Sequence, residues 1–120
     1  MATFTKRILG GSTDGKAIKV TGTSTATTVT VHTGDTNTAT IDEVWIYANN
    51  TSASDVKLTL EWGTATAADG NIEYTVKAEN GLYLIVPGLV LKGNATALTV
   101  KAFAATADVI LLTGYVNRIA

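Results

Sequence analysis

The residues of this chain best equipped for chemistry fall between Gly10 and Glu73. The run Gly10-Gly11-Ser12-Thr13-Asp14-Gly15-Lys16 fills the first seven positions of a phosphate-binding loop, in which backbone amides cradle phosphates and the lysine reaches the outer ones. Such a loop also needs a serine or threonine in the next position, to place a hydroxyl on magnesium, and then a helix whose N-terminus faces the phosphates. Ala17 stands where the hydroxyl should be, and Ile18-Lys19-Val20-Thr21 reads as a strand. The run is therefore expected to be a glycine turn. His32 is the only histidine, with Thr30, Thr33 and Asp35 close by in sequence. A weak metal ligand or a member of a Ser-His-Asp set would use such a residue, but no G-x-S-x-G elbow accompanies it. The expectation is a strand histidine facing solvent. Asp42 and Glu43 are adjacent, so on a strand they point to opposite faces and cannot act as a carboxylate pair. Glu61 or Glu73 would have to supply the second carboxylate from another strand, which spacing neither supports nor excludes. Asn49-Asn50-Thr51, Asn50-Thr51-Ser52 and Asn94-Ala95-Thr96 fit the glycosylation acceptor pattern and are read as exposed turns. No catalytic, cofactor-binding or metal-binding residue is assigned, and a non-enzymatic protein is expected.

The elements that position these residues are strands. In Asp42 to Trp62, Val44, Ile46 and Ala48 alternate with Glu43, Trp45, Tyr47 and Asn49, and Val56, Leu58, Leu60 and Trp62 alternate with Lys57, Thr59 and Glu61. A period of two places one row of each run on a core. The polar break from Asn49 to Ser54 favours a turn, so the pair reads as a central hairpin. Further strands are expected at Ile18 to Thr21, Ala26 to Thr33 and Ile72 to Lys77, followed by a turn at Glu79-Asn80-Gly81. The run from Leu82 to Leu91 is apolar on both faces, as in a strand covered on both sides by the fold or by a neighbouring subunit. Pro87, which lacks an N–H, marks it as an edge or a bend. Strands at Leu98 to Phe103 and Val109 to Val116 close the domain, leaving residues 117–120 as a tail. Eight or nine strands at spacings of about 8 to 12 residues predict an all-β, single-domain antiparallel sandwich or jelly roll. Residues 10–120 form that domain, and residues 1–9 form a short N-terminal arm with Phe4, Ile8 and Leu9 apolar and Lys6 and Arg7 cationic between them.

Composition narrows the function classes. A chain of 120 residues closes one hydrophobic core. It has no cysteine, which excludes disulfides and thiolate metal sites. Its 9 basic and 10 acidic residues form no block of either sign, so neither nucleic acid nor an anionic membrane is an expected partner. The apolar run at Leu82 to Leu91 is too short to span a bilayer as a helix, and the N-terminal segment lacks the apolar stretch of a signal peptide, so cytoplasmic synthesis is expected. Trp45, Tyr47 and Phe103 lie on the rows opposite the aliphatic ones. They serve either a second packed layer or an interface, where Trp and Tyr are enriched.

Taken together, FTKRILGGSTDGKAIKV, DEVWIYANNTSASDVKLTLEWG and AFAATADVILLTGYVNRIA resemble the small all-β virion structural proteins of tailed bacteriophages, over essentially the whole length. The resemblance implies a particle component: a capsid decoration, or cement, protein that binds the major capsid protein as a homotrimer on the capsid surface. The alternative it leaves open is a fibre-tip or receptor-binding module whose loops at Asn50 to Asp55 and Thr64 to Gly70 contact host glycans. In the decoration reading Phe4, Lys6, Arg7, Ile8 and Leu9 of the arm, together with Trp45 and Tyr47, are the expected interaction residues.

Overall fold

Alternating β-branched and polar residues produce nine strands among the described residues: β1 (Phe4–Ile8), β2 (Ile18–Lys19), β3 (Val29–Thr33), β4 (Ile41–Asn50), β5 (Val56–Trp62), β6 (Asn71–Val76), β7 (Tyr83–Lys92), β8 (Thr99–Ala104) and β9 (Ile110–Ile119). The structure is a computed structural model and describes residues 2–120. All pairings are antiparallel, and they nest: β2 on β9, β3 on β8, β4 on β7 and β5 on β6. The chain is thus one long hairpin with its tip at the β5–β6 loop. It is rolled over so that β9 also pairs with β4 and β8 with β5. The result is a jelly roll. One sheet has the order β1-β9-β4-β7, with β2 also on β9, and the other β3-β8-β5-β6.

The core lies between the sheets, and the period-two pattern fills it. Val44, Ile46 and Ala48 of β4 and Ile110, Leu112 and Val116 of β9 face Val56, Leu58 and Leu60 of β5 and Val100, Ala102 and Ala104 of β8, all buried. The inward rows are as the alternation predicts, but the pairing of the central segment is not. β4 and β5 lie in different sheets and form an arch across the core, not a hairpin. Two rows that face each other across a sandwich carry the same alternation as two rows side by side in one sheet. What decides is Asn50, fully buried at the end of β4. Its Nδ2 donates to the carbonyls of Ser54 (2.8 Å) and Val76 (2.9 Å), and its Oδ1 accepts from the amide and hydroxyl of Ser52. All four hydrogen-bonding positions of the side chain are filled, which pins the arch. Asn50 is therefore not an exposed turn residue.

Both termini are also more ordered than the alternation indicates. β9 runs on to Ile119, and β1 pairs with it from Phe4↔Ile119 to Ile8↔Tyr115. The expected arm is not free where the structure describes it, and Met1 lies outside the described residues: residues 4–8 form an edge strand, and Leu9 is fully buried. The Gly10-Gly11 joint fixes this strand to the domain. The Gly11 amide donates to the Val31 carbonyl (2.9 Å), and a Cβ at Gly11 would lie 2.0 Å from the Thr30 carbonyl oxygen. This glycine is present because β3 approaches too closely for any side chain. The turn leads into β2 with no helix. β7 is the other edge of its sheet, as Pro87 predicts, and its register slips on either side of Trp45-Ile46. It is not covered on both sides within the chain, since Leu82, Tyr83, Leu89 and Val90 are exposed.

Candidate functional site

Two places concentrate side chains with functional chemistry: a buried ionic cluster at one end of the sandwich, and the outer face of the sheet that contains β1, β9, β4 and β7. The ionic cluster begins with a break in the alternation of β3. A bulge between Thr30 and His32 turns both Val31 and His32 inward. His32 therefore does not face solvent. Its Nδ1 accepts the Gly10 N–H (2.9 Å), which leaves the ring proton on Nε2 to be donated to Asp42 Oδ2 (2.8 Å). Asp42 is buried on the same inward row as Val44 and receives Arg118 through Nε (2.7 Å) and Nη2 (2.9 Å). The fork against the carboxylate is bidentate, the strongest form of such a pair.

The electrostatics agree with this geometry. Burial lowers the His32 pKa, against the raising influence of Asp42, and the charges of Arg118 and Arg7 lower it further. The ring is neutral, as the Gly10 bond requires. For Asp42, burial pushes upward, but the bonds from Arg118 and His32 outweigh it and hold the carboxyl below its ordinary value. The Arg118 pKa is raised, chiefly by its bond to Asp42. This is an arginine-neutralised carboxylate that orients a neutral imidazole. No nucleophilic hydroxyl completes a triad, because the second ring nitrogen is bound to a backbone amide. The other carboxylates stay apart: Glu61 and Glu73 belong to the opposite sheet, Glu73 pairs with Lys57 (3.2 Å), and Glu61 Oε2 accepts the Thr25 hydroxyl. Among the described residues no group of three His, Cys, Asp or Glu is placed to hold a metal.

The outer face is built from cross-strand rows. Register sets Phe4, Ile119 and Ile41 side by side, then Lys6, Asn117, Glu43 and Val90, then Ile8, Tyr115, Trp45 and Pro87, and then Thr113, Tyr47 and Leu84. Trp45 is locked at the centre. It stacks on Tyr115 with centroids 5.9 Å apart and planes 12° from parallel, and its Nε1 donates to Glu43 Oε1 (2.8 Å), which also accepts Asn117 Nδ2 (3.0 Å). Those two bonds, Trp45 first, hold Glu43 below its ordinary pKa. Lys6 Nζ lies 4.5 Å over the Tyr115 ring. On the β7 side Gly88 has φ 77°, and a Cβ there would lie 2.9 Å from the Trp45 ring. Of the seven exposed large hydrophobic residues of the described chain, Phe4, Ile8, Ile41 and Val90 share this outer face, Leu89 and Tyr83 are in register with the inward Val44 and Ala48 at the β7 edge, and Leu82 immediately precedes β7. The surface of the opposite sheet has none.

The expected interaction residues divide accordingly. Phe4, Lys6, Ile8, Trp45 and Tyr47 share the outer face. Arg7 points the other way and lines a cleft beside His32, and Leu9 is core. Phe103 is on the opposite sheet. Three participants went unassigned from sequence: Asp42 as the partner of His32, Arg118 and Tyr115. A signal existed for Asp42, since a carboxylate in phase with Val44, Ile46 and Ala48 must be buried and therefore paired. A comparison with models of known families, with curated proteins and with solved structures found no match.

Proposed function

We propose that this chain is a non-enzymatic structural protein of a tailed-bacteriophage virion, a capsid decoration protein that binds the major capsid protein as a homotrimer. The observation that carries the reading is the placement of Phe4, Ile8, Ile41 and Val90, four of the seven exposed large hydrophobic residues of the described chain, on the outer face of one sheet with a tryptophan held by Tyr115 and Glu43 and closely approached by Gly88. Exposed apolar side chains around an ordered aromatic centre are a form that protein contacts take, since a pre-ordered side chain loses little entropy on binding. The jelly roll supports the same reading in a general way, because viral shell domains use it, although lectin domains use it too. The buried His32-Asp42-Arg118 cluster is a structural staple in this account. Cementing a shell needs only buried apolar area, at roughly 25 cal/mol per Å², repeated over many copies.

Light scattering on the isolated protein and co-sedimentation with capsid shells that lack it test the proposal. A trimer at micromolar concentration is expected, with binding to shells that weakens at least tenfold in Trp45→Ala while the fold is kept. A stable monomer that fails to sediment with shells, or undiminished binding by Trp45→Ala, contradicts it.

A further inference from the structure

The cleft beside the ionic cluster has a volume of about 330 Å³ and is lined by Arg7, Arg118, His32, Gly10, Ser12 and Thr33, with Ile8 and Leu9. Arg7 and Arg118 are on the same face of the β1–β9 pair, where Thr5 faces Arg118 and Arg7 faces Val116. They are diagonal neighbours, a spacing within reach of long side chains. Only one carboxylate answers them. Arg118 gives Nε and Nη2 to Asp42, its Nη1 makes no hydrogen bond among the described residues, and Arg7 has neither an ion pair nor a side-chain hydrogen bond there. Asp35, the other carboxylate close enough to act on Arg118, is turned to the Thr40 hydroxyl and the Thr36 amide and does not line the cleft. His32 is neutral, so the cleft holds two guanidinium groups against one carboxylate.

We infer that this cleft binds a peptide carboxylate, gripped between Arg7 and the free edge of Arg118. Guanidinium groups suit a planar carboxylate because their N–H donors match its two oxygens. Asp42 has a positioning role: it holds Arg118 by one edge and so presents the other. The Thr33 hydroxyl on the cleft wall supplies a further donor. The cleft is on the opposite face of β1 from Trp45, so it takes a carboxylate whether or not the outer face meets a capsid.

The source of the carboxylate is a side chain or a chain terminus, and two peptides separate them: an amidated peptide rich in glutamate, and a neutral peptide with a free C-terminus. Each is titrated into the full-length protein at matched ionic strength, and the Gly10, Ser12 and Thr33 amides and the arginine Nε–H signals are followed by NMR. At least one peptide is expected to give saturable, localised shifts with a dissociation constant of about a millimolar. Arg7→Gln is expected to weaken that binding at least tenfold without changing the melting temperature, since Arg7 lies outside the buried network. The inference is overturned if neither peptide exceeds the salt control, if the shifts scatter over the surface, or if Arg7→Gln binds as the parent does.

Discussion

Replacing Asp42 with asparagine should destabilise the protein more than any other single-atom-scale change outside the aliphatic core. The carboxylate is 1 % exposed and accepts three hydrogen bonds, at 2.7 and 2.9 Å from Arg118 and 2.8 Å from His32. Asparagine keeps the volume but removes the charge and turns one acceptor into a donor, so an N–H must oppose Arg118 in either orientation, and His32 as well in one of them. Breaking a buried pair by removing one partner costs about 3–5 kcal/mol, because the other charge is left uncompensated. Arg118 retains some contact with solvent, which places the expected loss near the lower end, about 3 kcal/mol. For a chain of this length 1 kcal/mol moves the melting temperature by about 4 °C, so a fall of about 12 °C is expected at pH 7, read by circular dichroism. The double variant Asp42→Asn with Arg118→Gln removes the stranded cation as well, and should recover part of the loss. An Asp42→Asn protein melting within about 3 °C of the parent would refute the claim that the cluster staples β3, β4 and β9 together.

Deletion of residues 2–9 should unfold the domain or lower its melting temperature by more than 10 °C, as Leu9 is core and truncating a buried leucine alone costs about 2–5 kcal/mol; a melt near that of the full chain contradicts the edge-strand assignment. His32 contributes a pH dependence whose sign follows from its lowered pKa among Asp42, Arg118 and Arg7. The unfolded chain takes up a proton below about pH 6.5 while the folded ring resists it, so stability falls as the pH drops from about 7.5 to 5.5. His32→Gln should flatten that slope in urea titrations, and equal slopes would count against a buried neutral ring. Gly88→Ala should cost about 1–3 kcal/mol and alter the tryptophan fluorescence, because it forces a side chain into a positive-φ position against Trp45; unchanged emission would contradict the locked ring.

The inward rows of β4, β6 and β8 are legible in the sequence because their burial follows a period of two, whereas in β5 Thr59 and Glu61 of the opposite row are buried as well as Val56, Leu58 and Leu60. The edge position of β7 is legible because of Pro87. Pairing partners are not, since Val44 and Leu58 show the same alternation whether their strands are neighbours or face each other. The side chain of Asn50, which decides between these, bonds to Val76 from 26 residues away. The ionic cluster is hidden for a similar reason: Arg118 reaches Asp42 across 76 residues, and His32 turns inward only through a bulge. Phe4 to Leu9 looks like an arm because an exposed edge strand buries little of its own. Its order comes from the far end of the chain, where β9 extends three residues past Val116.

The central claim is that the Trp45 face is the contact surface of a shell protein, and imaging of the intact virion at a resolution that traces strands tests it most directly. The account predicts trimeric jelly-roll density over the capsid, with β1, β9, β4 and β7 turned toward a neighbouring subunit or the shell and Trp45 and Tyr115 enclosed. Density for this chain at a fibre tip or tail, or on the capsid with that sheet facing solvent, would contradict it.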